Sequence, residues 1–296
     1  MREAKAEELI ELLKDNLDYV LELGILQEPK LCKKPIYKFE RTFVCGDEFC
    51  LVYSEADDPE TVFASYNSHK FEQIIDEYGS AQIVFHGEPC EGGELCESYY
   101  FIFKNEKICK MANPTTASAV PLPFQGRQGN CTQASPNRGG GPLAVVGSKN
   151  IIATKYNRED FDHTENTNCR LLGPKDKKLA QAGGEYLNII YENFIEKKVW
   201  ADCGIIGAFD GTGNFAGYLA YYELAENIRD VSYIYTRSEF RGLGYAKQLL
   251  NCFKHKNIFE NKVSYYSYAV DEASANLAKS CGFLPCAKRY ETNRER

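Results

Sequence analysis

The clearest chemistry in the sequence lies in Val231-Ser-Tyr-Ile-Tyr-Thr-Arg-Ser-Glu-Phe-Arg-Gly-Leu-Gly-Tyr-Ala-Lys-Gln-Leu-Leu250, where a β-branched and aromatic run leads into a glycine-bearing turn and a helix. The first amides of a helix have no internal partner. Glycines at Gly242 and Gly244 let the chain turn so that several of these N–H groups face one anion, the arrangement that cradles a diphosphate. The helix dipole adds about 0.3–2 kcal/mol per charge. A dinucleotide fingerprint would need a third glycine at position 247, which is Lys247, and an acidic strand end after it, and none is evident. Elsewhere the chemistry-bearing residues are scattered. The closest cysteine pairs, Cys45 with Cys50, Cys90 with Cys96 and Cys281 with Cys286, lack the spacing of a zinc or redox motif, so no metal is expected. Cys203 has no histidine near it to activate it as a nucleophile. His69, His86, His163 and His255 show no ligand spacing and are read as surface residues.

In context, the turn resembles motif A of the GNAT superfamily of acyl-CoA-dependent N-acyltransferases, whose pattern Gln/Arg-x-x-Gly-x-Gly/Ala is met by Arg241, Gly244 and Ala246. About 25 residues on, Tyr265-Tyr-Ser-Tyr-Ala-Val-Asp-Glu-Ala-Ser-Ala-Asn-Leu-Ala-Lys-Ser-Cys-Gly-Phe283 is similar to the family's strand-helix motif B through Ser274, Leu277, Ala278, Gly282 and Phe283. The resemblance covers residues 155–296. It implies an α/β (α+β) fold with a mixed central sheet flanked by helices, and an N-acetyltransferase that moves an acetyl group from acetyl-CoA to an amine by direct attack in a ternary complex. Two departures stand out: Asp271 replaces an asparagine common in the family, and the tyrosine that many members use as general acid falls at Ala278.

The resemblance also implies roles. Ile234, Tyr235 and Thr236 would pair with the pantetheine arm, the stretch Arg241, Gly242, Leu243, Gly244, Tyr245, Ala246 would hold the diphosphate, and Ser274 would lie beside the cofactor. The thioester would sit where the strand 231–236 and the strand 263–270 splay apart. An amine of pKa about 10.4 is neutral only to about one part in 2500 at pH 7, a deficit of roughly 4.6 kcal/mol, so a carboxylate that removes its proton helps. Asp230 and Glu223 are the candidates by position. For the proton that coenzyme A sulfur takes up, Tyr268 comes first and Tyr266 second, both on one strand face because side chains alternate with period two. The cluster Lys254-His255-Lys256 could meet a ribose phosphate or form a solvated helix end.

These residues need a scaffold, and the pattern supplies one. Cys169–Leu172, Ile205–Phe209, Phe215–Tyr222, Ile228–Thr236, Val263–Val270 and Phe283–Tyr290 read as strands, with the turn Asp210-Gly-Thr-Gly-Asn214 closing a hairpin. Helices are expected through Leu187–Phe194, from Ala246 and over Glu272–Cys281. Before them, residues 1–110 read as a smaller α+β domain: a helix over 3–23 capped by Gly24, strands in Tyr37–Tyr53 around Gly46-Asp47, a short helix in Phe71–Tyr78 and a strand over Ser98–Lys104. This region could be a degenerate second copy of the same fold. Residues 111–154 read as a proline- and glycine-rich linker, and residues 155–296 as the acyltransferase domain.

Composition bounds the function. At 296 residues, with 44% hydrophobic and 26% charged residues, the chain is long enough for one large or two ordinary cores. Twelve cysteines are too few for a disulfide scaffold. No run of about 18 apolar residues appears, and the acidic start is unlike a secretory signal, so no membrane association and a cytoplasmic location are expected. Residues 1–110 hold 12 basic against 23 acidic residues, a net charge of −11 within an overall −7. That argues against nucleic acid as partner and for a small-molecule or peptide amine acceptor of cationic character. Two rivals remain: a non-catalytic acyl-CoA-binding or regulatory protein, and an interaction scaffold without cofactor affinity.

Overall fold

The computed structural model describes residues 1–60, 62–78, 81–86, 96–103, 168–269 and 272–294. The expected linker, 111–154, lies outside them. The fold is mixed α+β and is organised by one sheet. Its strands are β1 (Arg2–Ala4), β2 (Tyr37–Cys45), β3 (Glu48–Glu55), β4 (Val62–Tyr66), β5 (Ala81–Phe85), β6 (Cys96–Phe103), β7 (Cys169–Leu171), β8 (Cys203–Phe209), β9 (Phe215–Ala225), β10 (Ile228–Thr236), β11 (Val263–Ala269) and β12 (Leu284–Arg294). They are ordered 1-2-3-4-5-12-6-11-10-9-8-7. The helices are α1 (Ala6–Leu13), α2 (Val20–Leu31), α3 (Glu72–Asp76), α4 (Lys177–Ala182), α5 (Glu185–Tyr191), α6 (Tyr245–Phe259) and α7 (Glu272–Ser280).

The order contains a repeat. The run β1-α1-α2-β2-β3-β4-α3-β5 recurs as β7-α4-α5-β8-β9-β10-α6-β11. In both runs the parallel pair is the last one, β4 with β5 and β10 with β11. The remaining strands are exchanged: β12 lies against β5, β6 lies against β11, and β12 and β6 pair with each other at the centre. A second reciprocal contact joins the halves, with Lys33 N–H donating to Val199 O (2.7 Å) and Ala201 N–H to Leu31 O (2.8 Å) around the bridge of Cys32 with Trp200.

Burial follows the pattern of side chains. Strand β9 is apolar nearly throughout, FAGYLAYYELA, because both its faces are covered, by α2 and by α6. The β8–β9 turn is closed by Asp210, whose carboxylate accepts from the backbone of Thr212 and Asn214, while Gly213 takes φ +87°. Hydrogen bonds from Asn214 and Thr212 pull that carboxyl down to about 2.

The carboxyl-terminal elements match their expected positions closely, whereas the amino-terminal ones need correction. The helix expected over 3–23 is instead β1, α1, a 3-10 turn at Leu17–Tyr19 and α2. Gly24 is inside α2 and caps nothing. A Cβ there would come within 2.5 Å of Leu224 Cδ1, so the glycine allows α2 to sit tightly on β9. Strands β1, β4 and β5 carry no readable alternation over their three to five residues. His86, expected at the surface, is buried with its Nε2 2.9 Å from Glu22 Oε1, which also accepts from Ser65 Oγ at 2.7 Å.

Candidate functional site

The two strands of the parallel pair β10 and β11 are in register only at Ile228–Val263, Arg229–Ser264 and Asp230–Tyr265. Beyond Asp230 they diverge. On its other side β10 stays bound to β9 as far as Thr236–Gly217, with an irregularity between Val231 and Tyr233. Gly217 makes the last part possible, since a Cβ there would lie 2.2 Å from Tyr235 O. One edge of β10 is thus held and the other is opened.

Into this opening falls a cleft of about 260 Å³. Ile234, Tyr235 and Thr236 form its β10 wall, Tyr266 its β11 wall, and Ala246 with Ala273, Ser274 and Leu277 the walls from α6 and α7. The structure therefore brings together five residues expected from the sequence at a cofactor: Ile234, Tyr235, Thr236, Ala246 and Ser274. Their grouping depends on α6, whose Leu249, Leu250 and Phe253 are buried and fix its N-terminus at the mouth of the opening.

The chain between β10 and α6 has the backbone that the glycines predict. After a 3-10 turn at Ser238–Phe240, Gly242 and Gly244 take φ +76° and +86°, in the left-handed region that favours glycine. No atom lies within 4 Å of a Cβ built at either position, so the space before them is open. The ladder of α6 starts with Gln248 N–H donating to Gly244 O (3.0 Å), so the first amides of the helix have no acceptor inside it. Leu243 is 64% exposed. Arg241 folds back, its Nε donating to Thr236 O (3.2 Å) and its guanidinium 6.0 Å from the Tyr235 ring. Residues 240–248 contain Arg241 and Lys247 and no acid, so backbone and charge both fit a diphosphate.

The acid and base candidates separate. Asp230 is 0% exposed and is the last β10 residue paired with β11, at the vertex where the strands part. Tyr222 lies opposite it on β9. Burial, with the Asp230 charge, holds the Tyr222 hydroxyl well above the ordinary tyrosine range. Glu223 is elsewhere, at the closed end of the pair, where it accepts from Lys262 Nζ (2.6 Å) and Asn227 N–H (3.0 Å). It belongs to an ion network that the sequence does not announce. Arg229 donates to Asp202 (2.6 Å) and Asn257 (3.0 Å) and pairs with Glu260, while Lys262 also reaches Asp202 (2.7 Å). Burial would raise Asp202, but Lys262 and Arg229 outweigh it and keep the carboxyl below the usual range. The same balance, with Lys256 and Arg229, lowers Glu260.

Of the two tyrosines proposed for the leaving thiol, Tyr266 lines the cleft. Tyr268 stands two residues on in β11, its backbone opposite Tyr99, and its side chain is outside the described part. Helix α7 turns Ala273, Ser274 and Leu277 to the cleft and buries Ala278 completely. Cys203 is half-buried, donates to Phe194 O and Trp200 O, and burial pushes its thiol up to about 11, the opposite of an activated nucleophile. Lys254 caps the end of α7 by donating to Cys281 O (2.8 Å), and Lys256 pairs with Glu260, so neither is a solvated helix end.

Residues 179–283 match the Acetyltransferase (GNAT) family. No match was found among curated protein sequences. Similar solved structures include an acetyltransferase from the GNAT family of Colwellia psychrerythraea, at 12% identity and TM-score 0.49, with 99% of each chain covered. A GCN5-related N-acetyltransferase from Kribbella flavida is 8% identical with TM-score 0.47, covering 94% of this chain and 95% of that one. A tandem GNAT protein from the clavulanic acid biosynthesis pathway is 10% identical with TM-score 0.46, covering 99% of this chain and 97% of that one. Residues 179–283 are the part of the chain that matches the acetyltransferase domain of the GNAT family.

Proposed function

We propose that the protein is an acyl-CoA-dependent N-acetyltransferase with one donor site, in the cleft between β10 and β11. The family supports an acyltransferase role. The single observation that carries the finer reading is the divergence of β10 from β11 immediately beside the turn at Gly242 and Gly244. An acyl-CoA bound there supplies a thioester carbonyl open to attack by an amine. The chain's own residues do the rest. Amides of 241–246 hold the diphosphate, the free edge of β10 at Ile234–Thr236 pairs with the pantetheine arm, and Ser274 with Leu277 closes the cleft from α7.

Asp230, at the vertex, is the residue to accept the proton of the attacking amine, directly or through water. Tyr266, in the cleft wall, is the residue to donate to the departing sulfur. Glu223, engaged by Lys262, is a structural member of the ion network. The acidic front half favours an amine that is cationic in solution. The division into a front region, a linker at 111–154 and an acyltransferase domain from 155 belongs to the same reading. The apolar Leu277 and Ala278 of α7, where a hydroxyl would assist the leaving group, favour a second reading in which acyl-CoA is bound without transfer. Release of free thiol from acetyl-CoA, measured with and without amines, separates the two. Amine-dependent release supports transfer, and binding with no release under any amine overturns it.

A further inference from the structure

Asp230 is buried, and a carboxylate kept from water is costly unless a donor holds it. The face of the sheet on which it stands supplies one. Asp230 is paired with Tyr222 of β9 and Tyr265 of β11, so the three side chains share that face. The extra residue Ser232 shifts the alternation of β10, and the next side chain on the same face is Tyr233, opposite Ala220. Tyr222 is the member of this group whose hydroxyl lies within reach of the Asp230 carboxylate. Its ring is packed against others. Trp200, between α5 and β8, lies 4.2 Å from it between centroids at 38°, and Phe194 lies 6.5 Å away, edge-on. Wedged between β10 and these rings, the tyrosine presents its hydroxyl at a fixed place.

The other titratable groups facing Tyr222 are Cys203, its partner on β8, and Tyr37 and Glu28 from the front half. Cys203 gives its proton to Phe194 O and Trp200 O, and Glu28 accepts from Tyr37 N–H at 2.9 Å. Burial, with the Asp230 charge, holds the Tyr222 proton in place well beyond neutral pH, so Tyr222 stays a donor and does not itself take up a proton. We propose that Tyr222 is the positioning residue of the base: its hydroxyl donates to one oxygen of Asp230 and aims the other at the acceptor amine. This rests on the transferase reading above. In the reaction Asp230 takes the ammonium proton, and the neutral amine forms a C–N bond to the acetyl carbon as the C–S bond breaks. The electron pair of that bond leaves on sulfur, where the proton shed by nitrogen ends. Tyr222 keeps its own proton throughout.

The test reads kcat against pH by thiol release from saturating acetyl-CoA, with the full chain and the fastest of a set of primary amines that includes n-butylamine, 2-phenylethylamine and spermidine. The limb of interest is the acidic one, which Asp230→Asn should abolish. Tyr222→Phe keeps the ring on Trp200 and removes only the donor, which disfavours the charged carboxylate. It is expected to move that limb upward by about one pH unit and to lower kcat several-fold, with acetyl-CoA affinity by calorimetry unchanged. Tyr221→Phe removes the neighbouring buried hydroxyl, on the opposite face beside Phe253, and should change neither. In the Asp230→Asn background Tyr222→Phe should add no further loss of kcat. A limb that stays in place in Tyr222→Phe, the same displacement in Tyr221→Phe, an acidic limb that survives Asp230→Asn, or losses that multiply in the double variant each overturn the role of Tyr222. Acetyl-CoA binding with no amine-dependent release in the parent protein instead removes the transferase reading, and this inference with it.

Discussion

The two parallel strand pairs start from the same order of elements and end differently. In the front half, β4 has five residues and stays in register with β5 from Phe63–Gln82 to Tyr66–Phe85, its last position. In the back half, β10 has nine residues and leaves β11 after the third. The chain leaving each strand differs in the same sense. After β4 come Asn67 and Ser68, then Phe71, Ile74 and Ile75, which are buried against Ala64, Ile83 and Phe85 as a small separate core. After β10 come the two glycines of positive φ and a 15-residue helix set back from the strands. A cleft here is not a property of the strand order. It needs a strand long enough to outrun its neighbour, an irregularity that frees its edge, and a turn that keeps side chains out of the space. The front half has none of the three and packs the place with its own apolar residues.

The comparison breaks most visibly at the turns. Gly244→Glu, which puts a carboxylate before the amides of α6, is expected to weaken acetyl-CoA binding at least about a hundredfold. Ser68→Glu, at the matching place in the front half, should leave it unchanged. Calorimetric titration of both variants, with thermal unfolding to verify folding, decides between them, and an equal loss in both would contradict the asymmetry. Next in size is the pair of acids. Asp230→Asn should lower kcat about 10²- to 10⁴-fold with acetyl-CoA affinity kept, whereas Glu223→Gln should change kcat little and lower Tm, because Lys262 loses a partner. Comparable kcat for both variants would remove Asp230 from the base role.

A third effect concerns stability at the closed end of β10. Arg229→Met leaves Asp202 and Glu260 without their buried guanidinium and is expected to cost about 3 kcal/mol in denaturant unfolding. Both carboxyls have folded values below their ordinary 3.8 and 4.5. The stability they contribute is therefore present above about pH 4.5 and is lost as pH falls through those lower values. The parent should lose stability on acidification in that range, and Arg229→Met should lose less. A parallel decline in the two proteins would show that the network is not the acid-sensitive element. The smallest expected effect is at Gly217. Gly217→Ala must displace the carbonyl of Tyr235, and should weaken acetyl-CoA several-fold with a modest fall in Tm. Unchanged affinity would mean that the end of β10 does not shape the cleft.

The back half is legible in the sequence because its signals are local. Gly242 and Gly244 before Ala246 and Leu249 mark a turn and a helix start, and Asp210 to Asn214 mark a hairpin, without reference to anything distant. The end of β10 is placed by that turn, and Ile234, Tyr235 and Thr236, picked out from the sequence, all line the observed cleft. The front half is obscure for the converse reason. Its β4 and β5 are short and paired with each other, and Gly24 has a purpose only in the presence of Leu224, 200 residues away. The same holds for His86, whose partner Glu22 comes from another element. Arg229, Asp202 and Glu260 look like ordinary charges in the sequence, since an ion network is defined by three-dimensional neighbours. The phase shift at Ser232, which decides where Tyr233 points, leaves no mark in composition or spacing.

The central claim is that the chain has one acyl-CoA site, between β10 and β11. Calorimetric titration of the full chain with acetyl-CoA tests it most directly. The account predicts a stoichiometry of one per chain, and no measurable binding in Gly244→Glu that still unfolds cooperatively. At a hundred times the dissociation constant the ligand should add about 2.7 kcal/mol to the stability of the parent. Two equivalents per chain, or one equivalent retained by Gly244→Glu, would contradict it.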